Sequence, residues 1–294
     1  MPKEKFEDQM KRLEEIVNLL ENDNVDLDKS IELYEEGLKI SKNLSKQLTG
    51  GKHFRPELIF SIVKGFDFDE EYSYDAALAL EMIHSYSLIH DDLPCMDNDD
   101  FRRGKPSCHK AFGEDIAVLA GDALLTEAFN VISRSKYNDN LKLNIIKTLA
   151  NFSGINGMIY GQLLDIRADK NISEEKLNEI QDYKTGALFK AALYIGMYIC
   201  NDEKNIAFYD KLAIQIGRLF QIQDDLFDVI KSEKETGKTN SDIKNHKFTT
   251  LSLYSVEEIE NRLNNAFEET YAFISKRKFN TSYLLDILKR METR

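Results

Sequence analysis

Nowhere in this chain do apolar and polar residues alternate for long enough to make a half-buried strand, and only four prolines and 14 glycines punctuate its 294 residues. Apolar residues recur instead at three- and four-residue steps, so the chain is predicted to be all-α. Residues 6–21, FEDQMKRLEEIVNLLE, set Phe6, Met10, Leu13, Ile16, Val17 and Leu20 on one stripe of a charged helix. NDNVDLDKS interrupts it, Asp26 or Asp28 can cap a second helix, and Ile31, Tyr34, Leu38 and Leu44 repeat the pattern. After TGG at 49–51 the helices become more apolar (DAALALEMIHSYSLIH, DIAVLAGDALLTEAF, ALFKAALYIGMYI), as expected inside a bundle. The expected organisation is a helical hairpin over 1–48 and a large helical domain over 49–294, with enough chain to bury a deep pocket.

A net charge of −12 and a pI near 5.0 argue against nonspecific binding of nucleic acid or anionic membrane, both of which need clustered Lys and Arg. Such a protein can still hold an anion when metal ions stand between them. Cys95, Cys108 and Cys200 make neither a disulfide framework nor a zinc site, which fits a reducing cytoplasm. MPKEKFEDQMKRLEEI has no apolar core of the signal-peptide kind, and FKAALYIGMYIC at 189–200 is too short to span a bilayer. A soluble protein without a membrane span is expected.

Two acidic clusters carry the chemistry. In QIQDDLFDV at 221–229, Asp224 and Asp228 share a helix face about one turn apart, with Asp225 beside them. Like charges at that spacing repel, so a divalent cation is the simplest partner; a solvated acidic face is the competing reading, opposed by the apolar Leu226, Phe227, Val229 and Ile230 around it. In DDLPCMDNDDFRRGKPSCH at 91–109, Asp91 and Asp97 would stand about 240° apart on a regular helix and could not share an ion. Pro94 removes a backbone donor and should break the helix, letting the chain return Asp97 towards Asp91. A calcium loop beginning at Asp97 fails, because its glycine would fall on Arg102 and its closing glutamate on Cys108. A solvated acidic loop remains open, but leaves Arg102 and Arg103 unexplained. Paired acidic clusters with neighbouring Arg and Lys read as a diphosphate site bridged by Mg²⁺, which takes few carboxylates and completes its shell with phosphate oxygen and water.

GGKHFRP, EMIHSYSLIHDDLPCMDNDDFRRGKPSCH, LAGDALL, YGQLLDI, YKTGALF and QIQDDLFDV occur in the order and spacing of the trans-prenyltransferases, and the chain from about Thr49 onward resembles their bacterial farnesyl diphosphate synthases. The resemblance implies an isoprenoid-synthase helical bundle around a central cavity, generally a homodimer. It implies that Mg²⁺ on the allylic diphosphate (dimethylallyl or geranyl) is bound by Asp91, Asp97 and Asp224, with Asp92, Asp225 and Asp228 supporting. Arg102, Lys184 and Lys238 match residues that contact the same diphosphate. Lys52, Arg55, His84 and Arg103 match those that hold isopentenyl diphosphate without metal. Thr185 and Gln221 line the reaction centre in the family, and Gln162 and Asp165 match a further polar pair near it. Tyr86 and Ser87, five and four residues before Asp91 or about 6 to 7.5 Å down the helix, match the positions that set product length. An aromatic at the fifth position goes with farnesyl products, although Tyr86 also reads as an ordinary core aromatic. His90, His109 and His246 are expected to be structural.

FEDQMKRLEEIVNLLENDNVDLDKSIELYEEGLKISKNLSKQL resembles the small subunit of bacterial exonuclease VII, which implies a docking element for that enzyme's large subunit and no active site of its own. A generic acidic hairpin is the plainer alternative. His53 replaces an arginine of the first basic motif, and GKTNSD is shorter than the pattern it matches, which leaves Lys238 and Lys247 less securely placed. Three functions therefore remain open: a farnesyl diphosphate synthase, a geranylgeranyl diphosphate synthase, or an impaired fusion that acts as an exonuclease VII interaction protein.

Overall fold

The computed structural model describes residues 53–168, 172–232 and 253–293, without the side chains of 228–232. It divides the chain into two units, Met1–Lys52 and His53–Arg294, and everything below concerns the second. The expected hairpin over 1–48, and with it Lys52, Lys238, His246 and Lys247, lies outside the described residues.

The described unit is built of helices in chain order: α1 (Phe54–Gly65), α2 (Tyr74–Asp91), α3 (Cys108–Phe112), α4 (Glu114–Arg134), α5 (Asp139–Ser153), α6 (Met158–Ile166) and α7 (Glu174–Gln181). A π-helical turn, Asp182–Gly186, leads into α8 (Ala187–Ile199), followed by α9 (Ile206–Ser232), α10 (Val256–Ser275) and α11 (Ser282–Glu292). The all-α expectation holds but for one small hairpin, β1 (Phe101–Arg102) against β2 (Lys105–Pro106).

Helix α8 is the axis of the bundle. Ten of its residues are buried, from Ala187 to Ile199, leaving Lys190, Tyr194 and Tyr198 as one half-exposed stripe, and it packs on α1, α5 and α9. Gly196 permits the close approach of α1, since a Cβ there would meet Ile62 at 2.8 Å. The Asp91 end of α2, the start of α8 and the second half of α9 carry the motifs, so the functional residues gather where these helices meet α6.

Helix α4 departs from expectation. Its segment reads like a buried helix, yet only Ala117, Gly121, Ala128 and Ile132 are buried, while Ile116, Val118 and Leu119 are 46%, 41% and 63% exposed. One face packs along α2, and Gly121 lets the ring of His90 lie directly on it. The remaining apolar face has no cover within this unit. Among the described residues α4 is the one helix long and apolar enough to cross a membrane, by length and composition alone.

Candidate active site

The first acidic motif bends as its spacing requires. Helix α2 ends at Asp91, and Pro94 follows where a helix would need another donor. The Asp97 N–H then donates to the Asp91 carbonyl at 2.9 Å, and the Asn98 N–H to Leu93 O at 3.1 Å, with Asn98 left-handed at φ 52. Six residues of separation are thereby folded into one turn. Beyond it, Arg103 and Gly104 form the two-residue loop of the β1–β2 hairpin with φ 53 and 78, the positive pair that a type I′ turn demands. That hairpin sends Arg102 back towards the helix end, where its Nε donates to Asp92 Oδ1 at 2.9 Å; a terminal nitrogen donates to the same oxygen, and also to Asp99 at 3.4 Å. Asp92 is 2% exposed, and burial pushes its carboxyl above the usual range against the pull of Arg102.

The second motif lies on the unbroken α9. Gln221 donates through Nε2 to Asp225 Oδ1 at 2.8 Å and accepts from Thr185 Oγ1 at 2.8 Å. Thr185 and Lys184 occupy the π-helical turn, whose wider winding turns both side chains out of the regular ladder. Arg218 on α9 anchors that turn by two bonds to Asp182, at 3.2 and 3.0 Å. Two glycines admit the crossing backbones. A Cβ on Gly161 would lie 2.1 Å from Lys184 N, and one on Gly217 would lie 2.9 Å from Gly186 Cα. Beside Gly161, Gln162 donates to Asp91 Oδ1 at 2.7 Å, while Asp165, three residues on, accepts from Lys184 Nζ at 2.5 Å. A continuous path therefore joins the motifs: Asp91 to Gln162, along α6 to Asp165, to Lys184 and Thr185, then through Gln221 to Asp225.

A cluster of positive charge sits beside the first motif. The Arg55 guanidinium stacks on Phe189 at 4.5 Å and on Phe220 at 5.6 Å, and reaches His84 Nε2 at 3.4 Å. Because a guanidinium only donates, His84 accepts at Nε2 and carries its proton on Nδ1. Burial, then Arg55, Arg103, Arg102 and His53, hold this imidazole well below its ordinary pKa, so it is neutral. Arg103 is exposed on its hairpin tip.

Residues 38–285 match the family model described as polyprenyl synthetase, and residues 6–53 match that of the exonuclease VII small subunit. The chain belongs to the polyprenyl synthetase family. It is a short-chain prenyltransferase of that family. It is 44% identical over 225 residues to a farnesyl diphosphate synthase of Micrococcus luteus, covering 76% of this chain and 77% of the relative. It is 40% identical over 251 residues to a chloroplastic geranylgeranyl pyrophosphate synthase of Catharanthus roseus, covering 82% and 70%. The geranyltransferase of Helicobacter pylori, solved with magnesium and isoprenyl diphosphate, superposes with a TM-score of 0.73 at 30% identity, covering 98% of this chain and 96% of that one.

Within the polyprenyl synthetase fold the two motifs share a pattern. The first aspartate of each, Asp91 and Asp224, is half-buried, and the second, Asp92 and Asp225, is buried and bound to protein. Among the described residues no three His, Cys, Asp or Glu side chains converge into a closed metal cage. The donor set suits Mg²⁺ nonetheless: carboxylate oxygens only, few per motif, as an ion needs when it completes its shell with phosphate and water. Asp228 lies in α9, with its side chain outside the description. Tyr86 is 6% exposed, stands edge-on to His90, and its buried hydroxyl has no hydrogen-bond partner among the described residues; burial and Asp91 push it up to about 12. Ser87 bonds back to His84 O at 2.8 Å. His90 and His109 serve local packing, against Val118 O at 3.1 Å and Ser107 Oγ at 3.0 Å. The sequence motifs assign no role to Gly161, Gly217, Asp182 or Arg218. A glycine before QLLDI and another facing the YKTG turn were the available signals.

Proposed function

We propose that this prenyltransferase condenses isopentenyl diphosphate head-to-tail with dimethylallyl or geranyl diphosphate and releases farnesyl diphosphate. The observation that carries the reading is the hydrogen-bonded path from Asp91 to Asp225, which ties both acidic motifs to Lys184 and Thr185. Bound Mg²⁺ would supply Lewis-acid stabilisation of the departing diphosphate, held by Asp91, Asp97 and Asp224. Asp92 and Asp225 act from behind: one fixes Arg102, the other fixes Gln221. Arg102, Lys184 and Lys238 offset charge on the leaving group, so the allylic carbon–oxygen bond can break and leave a carbocation. Thr185 and Gln221 border that carbon. Lys52, Arg55, His84 and Arg103 hold isopentenyl diphosphate, with His84 contributing a neutral donor. The double bond of that substrate attacks the cation, a carbon–carbon bond forms, and the released pyrophosphate takes the final proton. No histidine or serine nucleophile is needed.

Tyr86 floors the product cavity in this reading, and Ser87 stands beside it. The exposed face of α4, with Ile116, Val118 and Leu119, is the surface on which a second copy would pack to give a homodimer. Three free thiols fit the cytoplasm. A domain boundary near residue 49 fits the two family matches, which overlap over 38–53. The match over 6–53 also supports docking on the exonuclease VII large subunit through residues 1–48.

The test incubates purified full-length protein with isopentenyl diphosphate and each allylic diphosphate, with Mg²⁺ or with chelator, and sizes the products. Farnesyl diphosphate with Mg²⁺ and none with chelator are expected. No condensation by folded protein overturns the reading, and a geranylgeranyl product corrects the chain length. In the same assay Tyr86→Ala lengthens the product; unchanged products remove Tyr86 from the role. Co-purification of the exonuclease large subunit with full-length protein, lost without residues 1–48, tests the docking reading.

A further inference from the structure

The cationic end of the site contains a group that can change charge near neutral pH and an acid set against it. His53 enters α1 in the left-handed conformation, φ 47 and ψ 29, which a residue with a Cβ adopts at some cost. Its Nδ1 lies 3.3 Å from Glu81 Oε1, and the two side chains are 37% and 9% exposed. Glu81 stands three residues before His84 on the same face of α2. Among the described residues, His84 of α2 interacts with His53 and Arg103 of the hairpin with Glu81; Arg55 of α1, stacked on Phe189 of α8 and Phe220 of α9, and Arg102 of the hairpin act on the same His84. Glu81 therefore has two cations within reach of its field. One is His53; the other is Arg103, whose charge it supports.

We propose that His53 and Glu81 form a titratable positioning pair for the metal-free diphosphate subsite, tightening isopentenyl diphosphate when His53 is protonated and loosening it when the ring is neutral. The proposal rests on the synthase reading above. A protonated ring donates to the Glu81 carboxylate and neutralises it, which leaves Arg55 and Arg103 to the substrate. A neutral ring leaves a largely buried carboxylate without its ion-pair partner beside an anion site, with Arg103 as its remaining cation. That carboxylate repels the diphosphate and draws on Arg103. Affinity thus falls as rising pH removes the His53 proton.

The experiment is titration calorimetry of the full chain with isopentenyl diphosphate, without metal, between pH 6 and pH 8. Ionisation of the diphosphate itself is common to every variant, so the difference between profiles is the readout. Wild type is expected to lose about three- to tenfold more affinity over this range than His53→Arg, whose charge is permanent. Glu81→Gln, which removes the repelling charge, should flatten the profile likewise. In turnover assays the KM for isopentenyl diphosphate should carry the difference, with kcat and the allylic KM unmoved. Parallel profiles for wild type and His53→Arg, or no binding at pH 6, overturn the pair. pH-dependent binding without condensation would instead overturn the synthase reading and keep the pair. Should Glu81→Gln fail to fold, the more exposed His53→Arg carries the test alone.

Discussion

The two acidic motifs reach the same arrangement by different means. The first is made locally: a helix stops, the chain turns back on itself, and a hairpin a few residues later returns Arg102 to Asp92. The second is made by the rest of the fold. Nothing in QIQDDLFDV is basic, and Asp225 is held by a neutral amide that is itself held by Thr185 on another element. Both leave the leading aspartate half-buried and the following one buried. A motif that contains its own counter-charge tolerates rearrangement elsewhere. One that borrows its partners is only as well ordered as the packing that brings them.

The largest effect tests whether the two leading aspartates are equivalent. Asp91→Asn and Asp224→Asn should each lower kcat on the order of a thousandfold, since a bound divalent ion supplies several kcal/mol of charge stabilisation and each tenfold is about 1.4 kcal/mol. Steady-state kinetics at saturating Mg²⁺ measure this, with melting temperatures as the folding control. A loss below tenfold for either residue would break the symmetry between the motifs.

The next test separates a charged partner from a neutral one. Arg102→Leu leaves the Asp92 carboxylate buried without its cation, at a cost of about 2 to 3 kcal/mol, below the full value for a buried pair because Arg102 is one-third exposed. Calorimetry should show the melting temperature falling by roughly 4 to 12 °C. The sign with pH follows from Asp92, whose folded-state pKa is already raised by burial. Protonation favours the folded form of such a group, so the variant regains stability as pH falls and loses it as pH rises. Gln221→Leu should melt closer to wild type and lose about ten- to a hundredfold in kcat, as expected when a supporting hydrogen bond around a ligand is removed. Equal melting losses in the two variants would contradict the distinction.

This difference also explains what could be read in the sequence. The helical class, the break after Asp91, the return of Asp97 and the pairing of Gln162 and Asp165 on one face follow from local rules of period and proline chemistry. The π-helical turn that carries Lys184 and Thr185 does not, because its winding is enforced by Arg218 on Asp182 and by close approach at Gly161 and Gly217. Those contacts link residues 23 to 36 positions apart, and a periodicity argument has no access to them. Helix α4 misled for a related reason. Its composition is that of a buried helix, and composition records that a face must be covered without recording by what.

The smallest effect concerns Pro94. Pro94 is the expected cause of the bend, but the structure holds the bend with the Asp97 N–H on Asp91 O and the Asn98 N–H on Leu93 O, neither of which involves the proline. Pro94 is exposed, so its ring contributes little packing. Replacing it with alanine therefore removes mainly the restriction it places on the unfolded chain, about 0.4 to 1 kcal/mol. Pro94→Ala should keep kcat within about threefold of wild type and melt only a few degrees lower, as kinetics and calorimetry would record. A tenfold loss of kcat would mean that α2 runs on past Asp91 once a donor is restored at position 94. The first motif would then depend on the proline rather than on the hydrogen bonds, and its local construction would rest on a single residue.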